Sequence, residues 1–179
     1  MSIQNTHDTW GQLAKLFHWL SVVMLLAVWG MVAWHEASPK DSEAYIQSIM
    51  LHKALGVSLG TLMLARLTWR LINVTPRPLA APAWQQMVAS YVHGGLYLAL
   101  LAMPVTGMVM SQLAGKPISL FGFFELPQWL TVNKELAGDI KELHEDVFWP
   151  LLVLLTMAHI GAAIYHQKIV KDGLIQRML

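Results

Sequence analysis

The chain has 179 residues, 55% hydrophobic and 13% charged, with a formal net charge of +1 and a mean hydropathy of +0.46. Soluble domains carry about a quarter charged residues, so the composition is that of a membrane protein, and so small a net charge excludes a basic nucleic-acid-binding surface. Cysteine is absent, which excludes disulfides, thiolate metal sites, iron–sulfur clusters and covalent c-type haem together.

Four apolar segments follow one another: Leu16 to Trp34, Ile49 to Leu71, Trp84 to Ala114 and Val147 to Tyr165. Each reaches the roughly 20 residues that cross about 30 Å of hydrocarbon. A lipid-embedded backbone must satisfy its own hydrogen bonds, so each is predicted to be a helix. The first segment is longer than the apolar core of a secretory signal and is read as a retained span. The expected architecture is all-α: a single membrane domain over 1–179, a bundle of four transmembrane helices near 12–35, 48–72, 84–112 and 142–168. EASPKDSE (36–43) and TPRPLAAP (75–82) are short connectors. GKPISLFGFFELPQWL (115–130) carries aromatics suited to a loop lying on the bilayer surface.

Lys15, Arg66, Arg70, Arg77, Lys168, Lys171 and Arg177 fall on the side of the two termini; Lys40, Lys53, Lys116, Lys134 and Lys141 fall on the other. The positive-inside rule then puts both termini in the cytoplasm, in a multi-pass protein surrounded by lipid.

Depth sorts the histidines. His18 enters at the cytoplasmic end of helix 1, while His52 and His144 lie at the outer ends of helices 2 and 4. His159 lies further along helix 4, about 22 Å at helical rise, in the inner half. Each face thus has a pair from two different helices: His52 with His144, His18 with His159. Structural zinc wants four nitrogen or sulfur ligands. Haem b needs only two axial ones, because the porphyrin supplies the rest, so two bis-histidine haem b groups fit best. His52, Gly56 and Gly60 follow at i, i+4 and i+8, a smooth strip for a porphyrin or a small-residue helix contact. Arg66 lies at the depth of His159, where it needs a haem propionate or quinone oxygen as partner, or must snorkel to the surface. His93, entering helix 3 from the cytoplasm, and His166, two turns past His159, are candidates for moving protons to a quinone. Packing and substitute ligation are the other readings of His93. His7 and His35 are given no role, and Met108 and Met110 are read as packing.

FHWLS (17–21), LHKALG (51–56), LARLTWR (64–70), HGGLYLALLAMPVTG (93–107), GKPISLFG (115–122), and LHE with AHIGAAIYHQ and KDGLIQRM near the C-terminus span essentially the whole chain. On these motifs the chain resembles the bacterial cytochrome b561 proteins, four-helix di-haem membrane cytochromes that include the superoxide oxidase. The resemblance implies haem pairing of His18 with His159 and of His52 with His144. It also implies electron transfer between a periplasmic-side donor, superoxide among the candidates, and membrane ubiquinone or menaquinone.

One departure has a structural consequence. Members of that family separate the helix-4 ligands by 14 residues, and here His144 and His159 are 15 apart. One added residue turns a helix by about 100°, which would swing one imidazole off its haem. Pro150 blocks regular hydrogen bonding, so a kinked or π-widened turn near residues 146 to 150 is expected to restore both rings to one face.

At the outer face Lys53 and Lys116 could attract an anion. Nine acids (Glu36, Asp41, Glu43, Glu125, Glu135, Asp139, Glu142, Glu145 and Asp146) outnumber five lysines there and oppose long-range steering of superoxide. Two alternatives follow: an electron conduit for a docked basic redox protein of the periplasm, and a histidine-lined metal transporter.

Overall fold

The structure, a computed structural model, describes residues 2–179. Helix α1 spans Gln12–Ala37, α2 Glu43–Ile72 and α3 Ala83–Leu113. The last span is compound: α4 (Lys134–Glu142), a π-helical turn (Leu143–Phe148), α5 (Trp149–Tyr165) and a second π-helical turn (His166–Val170) run on as one rod. All four are long and apolar enough to cross a membrane.

Local chemistry explains the boundaries. α2 starts at Glu43, earlier than hydropathy suggests, because the Ser42 hydroxyl accepts from the Tyr45 N–H at 3.1 Å and closes its first turn. The fourth rod likewise starts at Lys134, where the Asn133 side chain accepts from Leu136 N–H. α3 ends where Gly115 takes φ +67, a left-handed cap that lets Lys116 N–H reach back to the Ser111 carbonyl at 2.9 Å.

α1 packs on α2, α2 on α3 and α3 on α5, whereas α1 and α5 do not pack closely. The buried core is small, consisting of Leu59 and Met63 of α2, Ala99 and Leu100 of α3, and Leu152 of α5. Its residues lie about midway along the spans. Outside, side chains such as Leu26, Leu98 and Leu154 are more than half exposed, as a lipid-facing surface requires.

The connector between α3 and α4 is more ordered than a loop resting on the bilayer. It forms a hairpin of β1 (Ser119–Leu120) and β2 (Phe124–Glu125), turning through Phe121 and Gly122 at positive φ. Gln112, almost wholly buried, holds the following segment down. Its Nε2 donates to the Pro127 carbonyl at 3.1 Å, and its Oε1 accepts from Trp129 N–H at 3.0 Å. Gln112→Leu strands both groups and is expected to cost about 1–3 kcal/mol. Thermal unfolding in detergent checks the loss, and proteolysis of 115–133 at lower temperature than in the wild type shows where it is felt.

At the other end three strands of irregular chain are tied together. Arg177 Nη2 donates to the carbonyls of Asp8 and Arg77, each at 3.0 Å. Trp19 Nε1 donates to the Met178 carbonyl at 2.7 Å, and Asn5 bonds both Asn73 and Val74. This end, which holds both termini, is called the terminal end below, and the opposite one the hairpin end.

Candidate functional site

Two histidine pairs face each other across the bundle, one toward each end. At the hairpin end the ring centres of His52 (α2) and His144 (first π-helical turn) are 6.4 Å apart; at the terminal end those of His18 (α1) and His159 (α5) are 6.1 Å apart. Two imidazoles bound to opposite sides of one metal, at ~2.0–2.1 Å per bond, hold their ring centres about 6.3 Å apart. Both pairs therefore have the separation that an interposed iron demands. His93 approaches His159 at 5.3 Å, about 1 Å too close for a metal between them.

The widened turn is the device that aligns the fourth rod. Leu143–Phe148 is π-helical, with the Trp149 N–H reaching the His144 carbonyl, one residue further back than an α-helix allows. Pro150 follows directly in α5; inside a continuous rod its missing N–H removes one helical hydrogen bond, and the widened turn before it accommodates the ring. The turn begins slightly before the region expected from Pro150 alone and contains His144 itself.

Hydrogen bonds set the tautomers at the hairpin end. His52 Nδ1 lies 3.3 Å from the Val28 carbonyl of α1, an acceptor only, so Nδ1 carries the proton. His144 Nδ1 lies 2.9 Å from Thr106 Oγ1 of α3. The single proton of that hydroxyl is shared between the carbonyls of Ala102 and Met103, which leaves its lone pair to accept from His144. Both rings thereby keep Nε2 as a lone pair, the ligating form. Gly107 makes room for this arrangement, since a Cβ there would meet His144 Cε1 at 3.3 Å.

The terminal end is arranged differently. Arg66 Nη2 lies 3.0 Å from His18 Nδ1. A guanidinium only donates, so this contact places the imidazole proton on Nε2. For His18 to bind a metal through Nε2, Arg66 has to release it. Arg66 and Arg70 flank the Tyr97 ring at 5.5 and 5.6 Å, and neither is paired with an acid among the described residues. Trp69 Nε1, between them in sequence, is buried without a partner. Positions i, i+3 and i+4 share a helix face, so Trp69 Nε1 and the N–H groups of Arg66 and Arg70 not already engaged are gathered at the end of α2. The two carboxylates of a haem b match that need.

Other expected residues fare unevenly. Gly56 faces open space, but a Cβ on Gly60 would meet Pro104 ring carbons at 2.9 Å. Gly60 is a helix contact, a correction to the porphyrin strip, which narrows to Gly56. Lys53 Nζ donates to the Pro117 carbonyl at 3.1 Å and ties the hairpin connector to α2. His35, given no role from sequence, bonds Tyr45 and Ser48 and stacks on Tyr45 at 3.9 Å. His166 Nδ1 meets Asp172 Oδ2 at 2.5 Å. Burial pushes the Asp172 carboxyl up, but hydrogen bonds from His166 and Leu174 N–H outweigh it and hold the group below its ordinary value. Val28, Thr106, Gly107 and Asp172 carry no sequence signal of their own. Only the tertiary arrangement reveals them.

The family profile described as prokaryotic cytochrome b561 matches residues 9–179. Cytochrome b561 homolog 2 of Escherichia coli (strain K12) is 34% identical over 182 residues, covering 100% of this chain and 95% of the relative. Cytochrome b561 homolog 1 of the same organism is 32% identical, covering 90% of this chain and 92% of the relative. The chain belongs to the prokaryotic cytochrome b561 family. It is a multi-pass bacterial membrane cytochrome, a haem b-binding carrier of electrons. In this cytochrome the two histidine pairs could supply ligands to that group, and the arginine end of α2 could meet its acid side chains.

Proposed function

We propose that this cytochrome binds two haem b groups, one between His52 and His144 and one between His18 and His159, and links a donor at the hairpin end to quinone at the terminal end. The observation that carries this reading is the pair of ring separations, 6.4 and 6.1 Å, at opposite ends of one bundle. Haem supplies reversible one-electron chemistry, and two axial imidazoles leave no iron position open for a substrate.

The protein's own residues do the rest. Val28 and Thr106 hold the hairpin-end imidazoles in the ligating tautomer. The core between Leu59 and Leu152 keeps water out of the space between the two sites. Arg66, Arg70 and Trp69 Nε1 offer donors to the haem carboxylates. His166 stands near the membrane boundary of the terminal end, where quinone reduction needs protons, and His93 supports the ring of His159. With the termini in the cytoplasm, the donor arrives from the periplasm.

Superoxide fits as a small one-electron donor. The acidic excess at the hairpin end favours a second reading, a basic redox protein docking there. A histidine relay for metal transport is disfavoured, because among the described residues no three His, Asp or Glu side chains gather as a ligand set. Purified protein given superoxide and a quinone decides between these. Quinol formation with a reduced haem b spectrum supports the leading reading. A haem spectrum with no response to superoxide, and reduction by a basic donor that quickens at low salt, supports the second. Zinc without haem overturns both.

A further inference from the structure

From the hydrogen bonding at the end of the last span we infer that Asp172 is a positioning residue. It locks His166 in one tautomer so that His166 Nε2 hands protons to the quinone. The inference rests on the quinone-linked reading above and adds the route by which protons reach that site.

The chain makes a specific detour to form this contact. After the π-helical turn His166–Val170, Lys171 adopts a left-handed conformation (φ +57) and its N–H closes on the His166 carbonyl at 2.6 Å. Gly173 is also left-handed, at φ +75. A left-handed turn at a residue with a side chain is unfavourable by about 1–2 kcal/mol, and here it folds Asp172 back beneath the imidazole six residues earlier. Both carboxylate oxygens are then engaged: Oδ2 by His166 Nδ1 at 2.5 Å and Oδ1 by Leu174 N–H at 3.0 Å. The two side chains are 19% and 18% exposed.

A carboxylate accepts and does not donate. It therefore fixes the proton on Nδ1 and leaves Nε2 as the exchanging atom, the arrangement by which an acid orients a catalytic histidine. His166 follows His159 by seven residues, about 10 Å along the helix axis, between the terminal-end pair and water.

The step balances. A quinone takes two electrons, one at a time from the donor at the hairpin end, and two protons, and becomes a quinol. For each proton the Nε2–H bond of His166 breaks and a quinone O–H bond forms. Water on the terminal side then reprotonates Nε2, while the Nδ1 proton stays on Asp172's side throughout.

The test is quinone turnover by detergent-purified, haem-loaded protein. Asp172→Asn keeps an oxygen for Leu174 N–H and removes the charge. It is expected to lower kcat about 10- to 100-fold, since positioned proton transfer contributes about 10²–10⁴-fold, with KM for quinone and the haem spectrum unchanged. His166→Gly should fall similarly and recover when imidazole is added, a rescue that a purely structural role does not show. Wild-type kcat in Asp172→Asn, or loss of haem and thermal stability with kcat per haem intact, overturns the proposal alone. A His166→Gly variant that imidazole does not revive overturns it too. A wild-type protein that reduces no quinone overturns the quinone reading and this proposal together.

Discussion

Replacing His52 or His144 with alanine is expected to halve the haem content of the purified protein, and the double replacement is expected to lower it no further. On the proposed pairing the two rings share one site, so removing either empties it. Pyridine haemochrome assay per mole of protein gives the count. The remaining absorbance should match that lost by His18→Ala or His159→Ala, which empty the terminal-end pair instead. Thr106→Val tests the same site more gently. It removes the acceptor for His144 Nδ1–H at 2.9 Å, and loss of such an outer partner typically weakens metal binding 10–100-fold, measured as the haem concentration needed to reload the apoprotein. If one histidine variant empties both sites, or neither, the assignment of two independent pairs fails.

The second large effect concerns the helix register. On the proposed pairing the π-helical turn at Leu143–Phe148 absorbs the extra residue between His144 and His159. Deleting Val147 is expected to convert that turn into ordinary α-helix and leave both haems in place. Deleting Thr156 shortens the chain by the same amount but beyond the turn, so His159 swings about 100° away from its partner. That protein should lose the terminal-end haem while keeping its expression level. The contrast is informative because the two variants lose the same length of chain from the same rod. Haem loss in both, or in neither, removes the turn from the account of how the ligands align.

The terminal end carries a dependence that the hairpin end lacks. Arg66 holds His18 through Nδ1, so on the proposed pairing loading that site requires a change of partner by a half-buried arginine. Val28 and Thr106 already hold the other pair in its ligating form. The two ends of the bundle are thus chemically unequal, although their ring separations are nearly the same.

Much of the protein was legible in one dimension. Bilayer thickness sets helix length, so the four spans could be read from apolar runs alone, and residue rise assigned His18, His52, His144 and His159 to two depths. The added residue between the helix-4 histidines signalled a distorted turn, because helix periodicity is rigid enough for one residue to matter.

What periodicity leaves open is which side chain on one helix meets which on another. Gly60 shows this, since its spacing from His52 and Gly56 suits a porphyrin face, yet helix crossing brings Pro104 onto it. Thr106 and the Val28 carbonyl show it again: neither residue type marks a site, and only the approach of α3 and α1 makes them partners of His144 and His52. Asp172 required a left-handed backbone at Lys171, which no residue pattern announced. Sequence determined where the spans and their histidines lie along the membrane normal. Rotation and crossing of the helices, set by close packing, decided each ring's tautomer and its neighbours.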